Sequence, residues 1–302
     1  MPMSRKIKQG CLRDIQKINF KLARAFDIKK HGGHMKKIGI IGLGNMGEAI
    51  LKALLNANYK TEDIVFYEIK KERAKYIEEL YRIRCLDSYG DLIRESGYII
   101  VAVKPQDARQ TLTGIAPLID EKKVIISVMA GIKISNILSV TDRPIKVIRA
   151  MPNICAKVGE AATGIAAGKG IEEAELKDAR EIFSCLGSVI EVGEELMDAV
   201  TALGGSGPAF FLFFLEAMID AGVKMGIPRE KSKAMSIQVI KGTIKMLEEE
   251  DVHPSILREM VTSPGGTTIT GLTHLEKKAF KGSIITAIEK AAKRAGELSS
   301  WL

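Results

Sequence analysis

A chain of 302 residues that is 46% hydrophobic and 27% charged has the composition of a globular protein with one large or two ordinary domains, which excludes a disordered or fibrous chain. Its formal net charge of +8 sits almost entirely at one end: residues 1–34 hold nine Lys/Arg against two Asp, leaving 36 basic and 35 acidic groups for the remainder. A body so nearly neutral excludes a nucleic-acid groove in the folded core, which needs a basic stripe.

Residues 1–34 form a basic N-terminal extension, expected to lie outside the fold. Ile7, Cys11, Ile15, Ile18, Leu22 and Phe26 recur at helical spacing, so an amphipathic helix on a membrane surface or a targeting segment is the alternative. His31 and His34 are two potential metal ligands without a third, and no metal is expected.

From Lys36 onward, short apolar runs alternate with helical patterns. Strands are expected at Ile38–Ile41, Ile64–Tyr67, Ile83–Cys85, Tyr98–Val103, Val124–Val128 and Lys146–Arg149. Helices between them imply right-handed crossovers and a parallel sheet covered on both faces. Two more β-rich stretches, Thr163–Ala167 and Val189–Val192, flank a helix around Ala174–Leu186 and are expected to extend the sheet. After Leu196 the chain reads as helix, interrupted at Gly204–Pro208, Gly226–Pro228, His253–Pro254 and Pro264–Gly266. The domains are therefore expected at 35–195 and 196–302.

The first turn carries chemistry. Gly42-Leu43-Gly44-Asn45-Met46-Gly47 follows a strand and opens a helix, the context that gives a G-x-G-x-x-G its meaning. Gly42 permits the tight turn, Gly44 lets backbone approach a pyrophosphate, and Gly47 allows close helix–strand packing. The helix start offers free N–H groups to the phosphates. The fold class is thus an α/β Rossmann-type doubly wound sheet, with NADH or NADPH as cofactor. Glu68, 21 residues beyond Gly47, is placed to bond the adenosine ribose hydroxyls and favours NADH, while Lys70, Lys71 and Arg73 are able to accommodate NADPH.

Two strand ends add candidates. Pro105 cannot continue a central ladder, so Val103, Lys104 and Pro105 turn out at the carboxyl end of the fourth strand, where ligands of such sheets bind. Asn153 leaves the sixth strand similarly; a bond to ribose or nicotinamide and a purely structural turn stand as equal alternatives there.

The helical half contains a second candidate site. Pro264–Gly266 must break a helix, and the next helix presents backbone N–H groups together with the hydroxyls of Thr267 and Thr268. This is a pocket for a small carboxylate.

The run from Pro254 to Glu276 closely resembles the signature of pyrroline-5-carboxylate reductases. The segments IGIIGLGNMGEAI, VAVKPQD, VIRAMPN and ALGGSGPAFFLFFLEAM are similar to others of that family, so the resemblance spans Met35 to about Leu298. Gly205 and Phe210 depart from it, standing where the family commonly shows Ser and Tyr. The resemblance implies reduction of 1-pyrroline-5-carboxylate to L-proline by hydride transfer from NAD(P)H, the last step of proline biosynthesis. It also implies interlocked dimers that assemble into rings, with the active site completed between subunits. The small cyclic imine carries its own basic nitrogen, so no His-centred relay is needed; the matched region has two histidines, in no triad. Thr268 is the expected catalytic partner of the imine nitrogen, and the amides of Gly266, Thr267 and Thr268 are expected to bind the substrate carboxylate. The alternative for Thr268 is a helix N-cap.

Three rivals are distinguishable. A β-hydroxyacid dehydrogenase shares the glycine turn but needs a lysine on the linker-following helix, and none lies between Gly207 and Lys224. A cofactor-sensing protein would bind without turnover. A nucleic-acid or membrane partner would act through the basic extension alone.

Assembly and compartment are legible in part. Phe210, Phe211, Phe213 and Phe214 cannot share one side of a helix, so a C-terminal all-α dimerisation domain is expected to bury them between subunits. The densest apolar run, Phe210–Leu215, is six residues long, well short of the roughly 20 that span a bilayer, so no integral membrane segment is expected. Cys11, Cys85, Cys155 and Cys185 are scattered without a C-x-x-C pair, which points to reduced thiols and the cytoplasm.

Overall fold

The computed structural model describes residues 37–141 and 143–298. The readings of residues 1–34 lie outside the described residues.

Eight strands form one sheet in the order β3-β2-β1-β4-β5-β6-β7-β8. In chain order the sheet unit runs β1 (Ile38–Ile41), α1 (Asn45–Asn56), β2 (Ile64–Tyr67), α2 (Lys71–Tyr81), β3 (Arg84–Cys85), α3 (Tyr89–Glu95), β4 (Tyr98–Val101), α4 (Ala108–Ile115), β5 (Val124–Ser127) and α5 (Ile134–Leu138). It continues with β6 (Lys146–Met151), β7 (Ala161–Ala167), α6 (Glu173–Ser184), β8 (Gly187–Glu191) and α7 (Met197–Val200). All neighbouring pairs are parallel except β6 and β7, whose register Met151↔Gly164 is antiparallel.

The near-continuous apolar runs of β1, β4 and β5 have a physical cause, since helices cover both faces of the sheet. Successive side chains alternate. Ile38, Ile40, Tyr98, Ile100, Val124 and Ile126 enter one core, and Ile41, Ile99, Val101 and Ile125 enter the other. Helix α1 presents Ala49, Ile50, Leu51, Ala53 and Leu54 to the first core at helical spacing. Gly39 belongs to the second face, where a Cβ would stand 2.6 Å from Leu92 Cδ2. Only glycine lets α3 lie that close.

The edges differ in detail from the sequence expectation. β4 ends at Val101, two residues early, because the chain turns out at Ala102 after its N–H bonds the Ile41 carbonyl at 2.8 Å. β6 runs on to Met151 because β7 pairs with its last residues from the antiparallel side. Ile83 is buried but precedes β3, which keeps only two residues.

The helical unit contains α8 (Gly207–Lys224), α9 (Arg229–Glu250), α10 (Pro254–Met260) and α11 (Thr267–Lys277), and α12 (Phe280–Leu298) begins in it. Helices α8 and α9 approach closely at Gly222, where a Cβ would stand 2.2 Å from Ser232 Oγ, which donates to the Ile219 carbonyl at 2.8 Å. The described chain divides into compact units at Ser206/Gly207, with residues 289–298 belonging to the sheet unit. The change from strand to helix after β8 comes about ten residues before this division, because α7 still packs on the sheet.

Helix α8 carries its phenylalanines in the open: Phe211, Phe213 and Phe214 are all exposed, Phe213 at 77%. Within the helical stretch Glu194–Lys224, 31 residues long, an 18-residue window reaches a mean hydropathy of 1.5, enough to cross a membrane by length and composition. The six-residue phenylalanine run therefore understates the apolar length of this stretch. Uninterrupted runs miss a helix whose apolar residues are diluted by glycine, serine and an occasional acid.

Candidate functional site

The glycine turn is built from contacts that only glycine permits. Gly42 sits at φ +89°, and its N–H donates to the Tyr67 carbonyl at 2.9 Å, tying the end of β1 to β2. A Cβ on Gly47 would lie 2.0 Å from the Gly42 carbonyl oxygen, so α1 packs directly on the turn. Gly44 is the opposite case, exposed and with nothing within 4 Å of a Cβ. That open space above the helix start fits a pyrophosphate, and the residues present fit a dinucleotide.

The other expected residues fall around this turn. Leu43 buries its side chain completely, so only its backbone can face a ligand. Asn45 is exposed and Met46 packs partly on the core. Across the switch from β1 to β4, Val103 is half-buried and Lys104 is exposed, with Pro105 opening a short 3₁₀ turn. Val103 Cγ1 stands 3.0 Å from where a Gly42 Cβ would be, so the two strand ends form one cleft wall.

Glu68 is engaged with backbone. Its Oε2 accepts the Leu43 N–H at 2.8 Å and its Oε1 accepts the Lys70 N–H at 3.1 Å. A carboxylate has about four lone-pair sites, so it retains capacity for ribose hydroxyls. Lys70 and Lys71 are exposed, whereas Arg73 is committed: its Nε donates to the Leu43 carbonyl at 2.8 Å and its Nη2 pairs with Glu48. Partial burial raises the Glu48 pKa, but the hydrogen bonds from Arg73 and Tyr81 outweigh it and hold the carboxyl below its ordinary value. Burial, together with the bond to Glu48, pushes Tyr81 up to about 12.

Asn153 is buried and spends its side chain on the protein. Its Nδ2 donates to the Gly204 carbonyl at 3.0 Å and its Oδ1 accepts the Cys155 N–H at 3.1 Å. Of the two alternatives, the structural turn has direct geometric support.

The sequence reading missed Arg149. This β6 side chain is 1% exposed and pairs with Glu194 at 2.9 Å, while Asp198 stands 3.8 Å from its Nη2. A buried charge held this way is expensive to strand, at about 3–5 kcal/mol if a partner is removed. The cluster therefore fastens the segment leading into the helical unit to the sheet. The partners lie 45 or more residues apart, and nothing local in the sequence signals them.

In the helical unit, Gly265 takes φ +66° and Gly266 is the N-cap of α11, without any side-chain cap. Thr267 and Thr268 are then the first two residues of the helix, so Thr268 is not the cap. The Gly266 N–H donates to the Ser263 carbonyl at 3.1 Å, which removes it from the expected carboxylate donors. The N–H groups of Thr267 and Thr268 belong to the first turn, where the helix offers no acceptor of its own. Thr268 is half-buried. Among the described residues no group of three or more His, Cys, Asp or Glu could hold a metal ion, and Cys85, Cys155 and Cys185 are free thiols.

Two family models match the chain, one described as pyrroline-5-carboxylate reductase dimerisation over residues 194–298 and one as NADP oxidoreductase, coenzyme F420-dependent, over residues 37–131. A pyrroline-5-carboxylate reductase from Methanosarcina acetivorans is 39% identical over 264 residues, covering 87% of this chain and 98% of its own. One from Synechocystis is 40% identical over the same shares. The crystal structure of Plasmodium falciparum pyrroline carboxylate reductase with NADP bound superposes with a TM-score of 0.80 at 33% identity, covering 89% of this chain and 100% of that one.

Proposed function

The chain belongs to the pyrroline-5-carboxylate reductase family, and we propose how its own residues perform the reduction of 1-pyrroline-5-carboxylate to proline with NAD(P)H. The observation that carries the reading is the start of α11: an uncapped helix N-terminus with two threonines in its first turn. Free N–H groups and the positive end of the helix dipole favour an anion there. Thr267 and Thr268 hold the substrate carboxylate through their amides, and the Thr268 hydroxyl hydrogen-bonds the ring nitrogen as it gains electron density. Gly266 shapes the turn, its N–H donating to Ser263 and not to the substrate.

The turn Gly42–Gly47 holds the pyrophosphate through backbone, with Asn45 and Met46 at the helix start. Glu68 bonds the ribose hydroxyls, and Val103, Lys104 and Pro105 border the cofactor where β4 turns out. Asn153 shapes the adjoining turn and uses its remaining amide capacity toward the ribose or nicotinamide. When bound, the nicotinamide supplies the hydride for the imine carbon, and the ring nitrogen takes the matching proton from water, directly or by way of the Thr268 hydroxyl. The protein's contribution is then orientation, which supplies about 7–11 kcal/mol in favourable cases, plus one hydrogen bond at nitrogen. The carboxylate of Glu68 opposes a 2′-phosphate, so NADH is the preferred cofactor, although the Plasmodium relative holds NADP.

The sheet unit, up to Ser206, serves the cofactor, and the helical unit from Gly207 serves substrate and self-association. The exposed phenylalanines of α8 meet a second copy of the chain, in dimers or rings of dimers, rather than lipid. That reading is supported by the dimerisation model that matches this stretch. The free thiols fit the cytoplasm. Steady-state reduction of pyrroline-5-carboxylate with each cofactor tests the proposal. A higher kcat/KM with NADPH than with NADH would overturn the cofactor assignment.

A further inference from the structure

Leu43 is held at both ends of its backbone. Its N–H donates to Glu68 Oε2 at 2.8 Å, and its carbonyl accepts from Arg73 Nε at 2.8 Å. Its neighbours Gly42 and Gly44 have no side chains with which to fix themselves, and glycine loses more freedom on folding than any other residue. The clamp on Leu43 thus sets the path of the whole turn.

Arg73 is itself immobilised from three directions. Its Nη2 pairs with Glu48 on α1, the Glu48 carboxylate also accepts the Tyr81 hydroxyl at 2.9 Å, and the guanidinium lies 5.2 Å from the centre of the Tyr76 ring. An arginine fork suits this task because its donors are fixed relative to one another. Nε reaches the turn while Nη2 reaches the helix that follows it. The turn and the first turn of α1 are thereby locked to α2 by one side chain.

We propose that Arg73 is a positioning residue for the cofactor turn: by holding the Leu43 carbonyl it keeps the N–H groups from Gly44 onward aimed at the pyrophosphate. Its effect falls on the dinucleotide as a whole. The sequence alone suggests a receptor for a 2′-phosphate, but two of its three nitrogens are already spent. The inference rests on reading Gly42–Gly47 as the cofactor turn.

The test is titration of the full chain with NADH and with NADPH, followed by nicotinamide fluorescence, alongside steady-state kinetics. Arg73→Gln is expected to raise Kd and KM for both cofactors about tenfold, the size of one charge-assisted hydrogen bond. The kcat at saturating cofactor and the KM for pyrroline-5-carboxylate hold steady, and Arg73→Lys recovers part of the loss. A rise confined to NADPH makes Arg73 a 2′-phosphate ligand and overturns the proposal. A lower Tm with unchanged cofactor Kd makes it a structural residue and overturns it equally.

Gly44→Val separates this failure from that of the underlying reading. Gly44 has φ −69° and open space at Cβ, so the variant folds. If Gly44→Val leaves both Kd values unchanged, the turn is not the cofactor site and the proposal falls with it. If Gly44→Val weakens binding and Arg73→Gln does not, the turn stands and the clamp alone is wrong.

Discussion

A Cβ on Gly47 would stand 2.0 Å from the carbonyl oxygen of Gly42. The obstructing atom is backbone at the end of a central strand, so it cannot swing aside as a flexible side chain would. Gly47→Ala is therefore expected to force α1 away from the turn at a cost of about 1–3 kcal/mol, lowering Tm by roughly 3–10 °C. Cofactor KM rises too, because the N–H groups that α1 presents move with it. Thermal melting and cofactor titration of one preparation check this, and a variant as stable as the parent contradicts the packing.

Glu68 has two tasks in the proposed site, and they have separable signatures. Removing its carboxylate in Glu68→Ala loses the bond from Leu43 N–H, which weakens both cofactors. It also removes the ribose acceptor and the repulsion of a 2′-phosphate, which penalises NADH and relieves NADPH. The ratio of kcat/KM for NADH over NADPH is expected to fall about tenfold, equivalent to roughly 1.4 kcal/mol. An unchanged ratio with both values lowered leaves Glu68 as a turn clamp only.

What the sequence reveals about this site follows the range of each interaction. The glycine turn and the strands β1, β2 and β4 are legible because their causes are local, apolar runs and a fixed glycine spacing, although β4 ends four residues before Pro105. The uncapped start of α11 is legible for the same reason, since Pro264 and the two glycines must break the chain there. Arg73 lies close to the end of β2 in sequence, and nothing local reveals that its fork reaches back 30 residues to Leu43. Arg149 and its partners Glu194 and Asp198 are likewise invisible, as is the antiparallel pairing of β7. The hydrogen bond from the Gly266 amide to Ser263, internal to the turn, cannot be read from residue types.

Phe213 is 77% exposed on α8 and stands in the stretch matched by the dimerisation model. Burying a phenylalanine is worth about 1.5–3 kcal/mol, and a carboxylate in its place would be stranded without a partner in an apolar contact. Phe213→Asp is expected to shift the protein toward smaller species in size-exclusion chromatography with light scattering, and to lower its Tm. Parental size at equal concentration would move the contact surface away from α8.

Thr268 exposes the proposed mechanism most directly. Replacement by valine keeps the branched shape and removes only the hydroxyl, although the two residues are not equivalent in polarity. If that hydroxyl bonds the reacting nitrogen, its loss costs about 1–3 kcal/mol with the partner left unpaired, so kcat/KM for the imine falls roughly 5- to 160-fold. Cofactor Kd is expected to hold, because the glycine turn is built without Thr268. Stability is expected to hold as well, since Gly266 occupies the N-cap and α11 has no side-chain cap to lose. The amides of Thr267 and Thr268 survive the substitution, so binding of the carboxylate persists and the loss falls more on kcat than on KM. Thr268→Val with parental kcat and KM would remove the hydroxyl from the reaction and leave only the helix start as substrate site.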